Sequence, residues 1–494
     1  MKRVLRYERL PLLVFLLCSL LAEQSESFSL FVGTRGLASF STTRNTCGDS
    51  PLSPFRCVEN DLKRLDRGCF DKARIILLSQ VGDENSEATK STFVPSTSSE
   101  IGGTAPRGRG IASVEKFTRL PVWPVWNGVF VWIVSKLLGD TIAAQVEHTI
   151  TGRVCPNFFT YEKTSPFIML VHHCHSFAPW DPLRYLQKTF FPEGFPAHPH
   201  RGFVTLTYFL HGGFVHRDSI GCRQAYGQFD NNDKNGFISN RQKHTQWLNT
   251  GAGILHEEMF DNQDSGQQPS WLVPTRQELY QLWINLPAAK KLETPKSVLL
   301  GGEEETPLVV KSGCGGGSSG VDIQSETLVL AGSYNDRESV APIASGMTIL
   351  HVRLYKSSNS ESDWIIDLPA SYDTAMLYVR QGSVIDSISG TVVPPHHTAE
   401  FSQSQASDLG ETRRIRLTKA PGDRVADFLF LAGESLNEPC VAQGSMVMTS
   451  TMEIDRAYRD YQAGLFGRPW DEKLSDEEWE KHVLQYPSRY RYIE

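Results

Sequence analysis

The chain has 494 residues, enough for two or three folded units with tails, and its 40% hydrophobic content lets it bury a sizeable core. Its 39 glycines and 27 prolines fit a turn-rich architecture better than a helical bundle or a disordered chain. A formal net charge of −7 without a run of Lys and Arg argues against direct nucleic-acid binding, because a phosphate surface needs clustered cations; contact through a protein partner stays open.

The chain opens with Lys2, Arg3, Arg6 and Arg9 ahead of an apolar run over residues 10–22, a secretory pattern too short for a membrane span. Ser25 and Ser27 provide small residues for cleavage before Phe28, so residues 1–27 are expected to be a signal peptide. Residues 28–48 carry Arg35 and Arg44 and no acid, as transit peptides do. Together the two stretches resemble the bipartite presequences of complex plastids, and the expected destination is the plastid or the exterior.

Nine cysteines include no Cys-x-x-Cys pair, which argues against a zinc ribbon; Cys47, Cys57 and Cys69 read either as disulfide partners or as unpaired thiols. Residues 84–110 turn to Ser, Thr, Gly and Pro, so 28–115 is predicted to be transit-like and linker sequence. Within 116–141 the apolar, Trp-rich stretch at 121–138 is interrupted by Pro124, Asn127 and Lys136, which favours a helix packed on the neighbouring domain over a transmembrane span.

From there the pattern changes to short β-rich runs bounded by Gly, Pro, Asn and Asp, as at 203–210, 278–286, 348–354 and 425–431. A break at 311–320, with Gly315, Gly316 and Gly317, separates two stretches of similar character. The expected fold is all-β, with two barrels in tandem over 142–300 and 321–455. In the tail, 456–494, Tyr458, Tyr461 and Leu465 have a helical spacing that can pack back on a barrel, and a polar surface helix is expected beyond Trp470.

The densest chemical signal is the run Ala197-His198-Pro199-His200-Arg201-Gly202-Phe203. Alternate side chains of a strand share a face, so His198 and His200 point into one interior, about 7 Å apart along the chain. A second cluster, Gly251 followed by Ala252-Gly253-Ile254-Leu255-His256-Glu257-Glu258, repeats that spacing with an imidazole and a carboxylate. His256 and Glu258 face inward together and Glu257 points the other way. A lone His-x-His is a weak signal, and either cluster alone also reads as exposed charges at a strand end. Jointly, His198, His200, His256 and Glu258 form a set of three imidazoles and one carboxylate that suits non-haem Fe(II), or another first-row divalent metal, better than structural zinc.

These residues carry a family resemblance. The run from His198 to Tyr208, His216-Arg217-Asp218-Ser219, Gln246-Trp247, the Gly251 to Met259 run and Leu282-Trp283-Ile284-Asn285-Leu286 resemble the N-terminal cupin of pirins. Pro395-His396-His397-Thr398-Ala399, Leu431-Ala432-Gly433-Glu434 and Met446-Val447-Met448 resemble the pirin C-terminal cupin. The resemblance spans about residues 142–467 and implies two tandem jelly-roll cupin barrels, with pirin iron ligands falling on His198, His200, His256 and Glu258. It implies either an Fe(II)-dependent dioxygenase of quercetin 2,3-dioxygenase type acting on a small aromatic substrate, or a non-enzymatic, redox-sensitive iron protein acting through protein partners. In the enzymatic case a flavonol 3-hydroxyl binds the metal as an oxyanion and Glu258 takes the proton as general base. A third reading keeps the metal without catalysis.

The chain departs from the family pattern at two places. Pirins commonly have Glu four residues after the second His; here Val204 stands there, which is expected to remove a polar group from the ligand-bearing face. The stretch 221–245 is longer than the usual hairpin. Within it Asn231-Asn232-Asp233-Lys234-Asn235-Gly236 imitates an EF-hand loop, but Gln242 stands where the bidentate Glu belongs, so an Asn/Gly-rich turn is expected. His172, His173, Cys174 and His175 divide by alternation between two faces, and the expectation is packing near the barrel mouth. The pair His396-His397 lacks a His-x-His partner, so the second barrel reads as metal-free; His216, Arg217 and Asp218 read as a strand-end salt bridge.

Overall fold

The computed structural model describes residues 108–117, 125–139, 142–143, 153–177, 193–228, 243–260, 275–313, 323–355, 363–402 and 413–485. The expected signal peptide, the transit-like stretch, Cys47, Cys57, Cys69 and the EF-hand imitation at 231–242 lie outside the described residues.

The first barrel is built from β2 (Arg153–Phe158), β3 (Phe167–Phe177), β4 (Gly194–His200), β5 (Phe203–Asp218), β6 (Arg223–Gln228), β7 (Thr245–Asn249), β8 (Ile254–Phe260), β9 (Thr275–Asn285) and β10 (Lys296–Leu300). One sheet runs β10-β7-β5-β9-β3-β2; β4 and β6 join through β8 and β5. The key element is β5. Its first half pairs with β7 and β9, its second half with β6 and β8, and it turns between the barrel's two sides at Gly212. There φ is +75° and a Cβ would lie 1.7 Å from the Gln277 side chain, so only glycine fits.

The second barrel starts before the first. β1 (Ile111–Lys116) pairs with β20 (His397–Phe401), in the order β1-β20-β17-β22-β15-β12-β11. The other members are β11 (Leu308–Ser312), β12 (Ile323–Ala331), β15 (Met347–Tyr355), β17 (Thr374–Gln381) and β22 (Val425–Gly433). A facing sheet has the order β16-β21-β18-β19, with β16 (Trp364–Leu368), β18 (Val384–Asp386), β19 (Val392–Val393) and β21 (Arg413–Lys419). Two small hairpins complete the strands, β13 (Ser333–Tyr334) with β14 (Arg337–Glu338) and β23 (Val441–Gln443) with β24 (Met446–Met448). The expected linker therefore gives way before residue 115. Arg109 anchors the new strand, donating to the carbonyls of Ser402, Tyr372 and Asp373 at 2.6, 3.0 and 2.7 Å.

Helix α1 (Val125–Leu138) forms within the Trp-rich stretch, and α2 (Tyr161–Thr164) is a single turn. Trp132 and Leu137 of α1 are 61% and 75% exposed, so much of its apolar surface is left uncovered by the described residues. No helix among the described residues is long and apolar enough to cross a membrane.

The largest sheets of the two barrels face each other. Val204, Leu206, Tyr208, Tyr280, Leu282 and Ile284 from the first interleave with Leu328, Leu330, Ile349, Met376, Tyr378 and Leu431 from the second in one buried cluster. That explains why β5 is buried on both faces from Phe203 to Leu210. Even-numbered residues bury against the partner barrel, while the odd-numbered Phe203, Thr205, Thr207 and Phe209 fill their own. Val204 is consequently an inter-barrel residue, 1% exposed, and not a member of the ligand-bearing face. The expectation drawn from it is corrected: at Gly202, φ +85°, the chain turns between β4 and β5, and the strand alternation does not carry across.

The tail returns to the first barrel. Helices α3 (Thr451–Gln462) and α4 (Asp476–Gln485) contribute Ile454, Ala457, Trp479 and Val483, and the segment between them Phe466 and Trp470, to a cluster with Leu255, Met446 and Met448. Tyr458, Tyr461 and Leu465 lie against this cluster, as their spacing predicts. The polar surface helix forms as α4, and it also buries Trp479 and Val483.

Candidate metal centre

Strand β4 lies antiparallel to β8 with His198 directly opposite His256, and His200 comes two residues on. The three ring centroids are 4.4 to 4.7 Å apart in every pair. One donor atom from each imidazole falls within 4.8 Å of the others, the single such group of metal-binding side chains among the described residues. Three nitrogens spread evenly about 2.1 Å from one ion lie no more than ~3.6 Å apart, so each donor moves by under ~1 Å for the triad to close on a first-row metal.

The electrostatics match. Burial holds His198 down to about 4, and burial followed by the neighbouring imidazoles keeps His200 and His256 well below the ordinary histidine range. All three are neutral at pH 7, as metal ligation requires. Nδ1 of His198 donates to the Pro196 carbonyl at 2.8 Å, leaving its Nε2 lone pair free to ligate. His256 is fully buried with neither ring nitrogen hydrogen-bonded, a costly arrangement for a polar ring that a bound ion relieves. The residues present thus fit a metal.

Glu258 shares the inner face of β8 with His256 but lies outside the three-imidazole group. Gln281 Nε2 donates to its carboxylate at 3.1 and 3.3 Å, and Thr207 Oγ1 approaches at 3.4 Å. Burial pushes its carboxyl above the ordinary range, opposed by His216, Gln281 and Thr207. Glu257 points the opposite way, as alternation predicts. It is buried there too, accepting from Trp470 Nε1 at 2.7 Å with Arg217 at 3.6 Å, and burial raises it to about 7.

Alternation also splits His216, Arg217 and Asp218. Arg217 sits on the outer face with Glu257, whereas His216 is wholly buried inside, 3.0 Å from Asp218 and with its ring 5.4 Å from that of His256. The expected strand-end pairing is found, between His216 and Asp218 at the end of β5 and between Arg217 and Glu257, and the first pair stands beside the triad. Gln281, Thr207 and Trp470 were not among the residues singled out from sequence. The first two have only the inward parity of their strands as a signal, and nothing local marks Trp470.

Of the other histidines, His173 meets Phe195 and Phe260 at centroid distances of 6.0 and 5.2 Å, and Phe214 lies 4.8 Å from Phe260. Phe195 is opposite Glu258 in register, so these rings form an apolar wall beside the inner face of β8. His172 instead faces the second barrel, and this corrects the expectation that it packs at the mouth. His396 Nδ1 is 3.1 Å from the Tyr378 hydroxyl, and His397 Nδ1 donates to the Pro395 carbonyl at 3.0 Å.

Comparison with known proteins adds to the geometry. The pirin family profile matches residues 149–284, and that of the pirin C-terminal cupin domain matches 358–467. Pirin-1 of Arabidopsis thaliana is 27% identical over 334 residues, 67% of this chain and 94% of that protein. A Vibrio cholerae protein with the provisional name quercetin 2,3-dioxygenase is 30% identical over 337 residues, 66% of this chain and 93% of that protein. A solved structure of quercetin 2,3-dioxygenase from Acinetobacter baumannii aligns at 25% identity and a TM-score of 0.48, covering 64% of this chain and 92% of that one.

Proposed function

The chain belongs to the pirin family, with both cupin domains present, and on that premise we propose that it is an Fe(II)-dependent dioxygenase of the quercetin 2,3-dioxygenase type. His198, His200 and His256 are the residues that would hold the ion, with Glu258 beside them. The observation that carries this reading is the convergence of three neutral imidazoles, two buried and one half-buried, of which His256 has both nitrogens unpaired.

When bound, the metal supplies Lewis acidity that favours the oxyanion of an enolic hydroxyl. The other roles belong to side chains. Glu258 receives the hydroxyl proton on a carboxylate oxygen. Its raised pKa makes it a better base than an exposed glutamate, and Gln281 and Thr207 aim it. Phe195, Phe214, Phe260 and His173 offer an apolar, aromatic wall for a flat aromatic substrate and keep water from the inner face of β8. Asp218 holds His216 in one orientation behind His256.

The test is anaerobic loading with Fe(II) followed by oxygen uptake with quercetin. Uptake that disappears in His256→Ala and falls at least a hundredfold in Glu258→Gln is expected. Iron-loaded protein that consumes no oxygen would overturn the dioxygenase and favour an iron-binding regulator acting through protein partners.

A further inference from the structure

We propose that the segment after residue 467 is a strap that positions His256 from outside the barrel, through the contact of Trp470 with Glu257. The proposal rests on the metal reading above and adds two positioning residues to it.

The strap lies beyond the stretch matched by the pirin C-terminal domain, which ends at residue 467. It closes over the outer face of β8, the strand whose inner face presents His256 and Glu258. Trp470 Nε1 donates to Glu257 Oε2 at 2.7 Å, and both residues are buried, 5% and 1% exposed. Arg217, opposite Glu257 in register, ties strand to strap: it lies 3.6 Å from Glu257, donates to the Leu474 carbonyl at 3.0 Å and pairs with Asp476. Arg223 holds the same Asp476 at 2.7 Å. Trp470 and Trp479 rings pack 6.1 Å apart beneath this ion pair, and Arg217 stands 5.7 Å over Trp479.

Glu257 is covalently between His256 and Glu258, so anything that fixes its side chain fixes the strand carrying both. A buried carboxylate must keep its hydrogen-bond donors or move to water. Removing the Trp470 N–H gives β8 a reason to shift outward, and a ligand displaced by even a fraction of an ångström binds its metal less tightly. Side chains hydrogen-bonded directly to a metal ligand change affinity by about 10- to 100-fold; Trp470 acts through Glu257, one residue from the ligand, and the low end of that range is expected.

The experiment uses the full chain with Co(II) as probe, reading its dissociation constant by chelator competition and its visible absorption bands as a report of ligand geometry. Trp470→Phe keeps a ring and removes the donor; it is expected to weaken Co(II) binding about 10-fold or more and to shift the bands. Glu257→Gln, which keeps an acceptor oxygen for Trp470, is expected to retain more affinity than Glu257→Leu. Val393→Ala, in the core of the second barrel, controls for general destabilisation and is expected to leave affinity and bands unchanged. A wild-type constant and spectrum in Trp470→Phe would overturn the strap alone, as would equal weakening by Val393→Ala. Wild-type protein that takes up no Co(II) would overturn the metal reading and the strap with it.

Discussion

His172 of the first barrel and Tyr378 of the second share a hydrogen bond of 2.8 Å across the seam between their sheets. His172 Nε2 donates to Glu278 at 3.0 Å, so its Nδ1 accepts from the tyrosine hydroxyl. Arg380 continues the network, 3.3 Å from Glu278 and 3.7 Å from Asp427, and Asp427 in turn accepts from His351 at 2.9 Å and from Arg353 at 3.1 Å. Surrounding cations and imidazoles hold both carboxylates well below their ordinary range despite burial. The seam is apolar around an ionic centre, and such a centre is costly to break from one side.

Arg380→Met is accordingly expected to destabilise the protein by about 3–5 kcal/mol, because Glu278 and Asp427 lose the cation they share while remaining buried. Urea unfolding measures it. A loss below about 1 kcal/mol would show that Arg276, Arg353 and the imidazoles suffice.

His256→Leu separates folding from ligation. The metal-free variant should be at least as stable as metal-free wild type, since a ring with two unpaired buried nitrogens is replaced by an apolar side chain. The rise in melting temperature on adding metal should vanish; for wild type at 100 times its Kd that rise corresponds to about 2.7 kcal/mol. Calorimetry with and without a chelator checks both.

Acid sensitivity should be traceable to His244. Buried between Thr245 and Thr306, it is held down to about 3 by burial and the nearby His351 and Lys243. Its folded pKa lies below the unfolded value, so the unfolded chain binds more protons between these limits. The stabilisation is complete above about pH 6.5 and is lost progressively as pH falls towards about 3. His244→Gln should flatten the stability curve over pH 6.5–4.5 by up to ~1.4 kcal/mol per pH unit. An unchanged slope in urea titrations would assign the sensitivity to other groups.

Val204→Glu tests the placement of that residue directly. A carboxylate introduced into the seam should cost several kcal/mol, and metal affinity of the folded fraction should stay at the wild-type value. Tighter metal binding would mean that the side chain reaches the centre after all.

Strand spacing made much of this molecule legible. The pairs His198/His200 and His256/Glu258 needed only the period of two to put their side chains on shared faces, and the helical tail declared itself in Tyr458, Tyr461 and Leu465. Val204 shows where that logic stops. Counting by twos from His200 carries it onto the ligand face, but the turn at Gly202 breaks the alternation, and a residue count cannot register a turn. Likewise β1 was hidden in what reads as linker, because its partner β20 comes nearly 300 residues later.

By itself the sequence determined the all-β class, the two-barrel division and the choice of His198, His200 and His256 as a clustered set, because these follow from local periodicity and from residue chemistry. The tertiary structure alone decided that two sheets bury their faces against one another, that Glu258 is held by Gln281 and Thr207 beside the imidazoles, and that the tail reaches Glu257. Those are contacts between residues distant in the chain. Their existence depends on how barrels pack, and no short-range pattern encodes it.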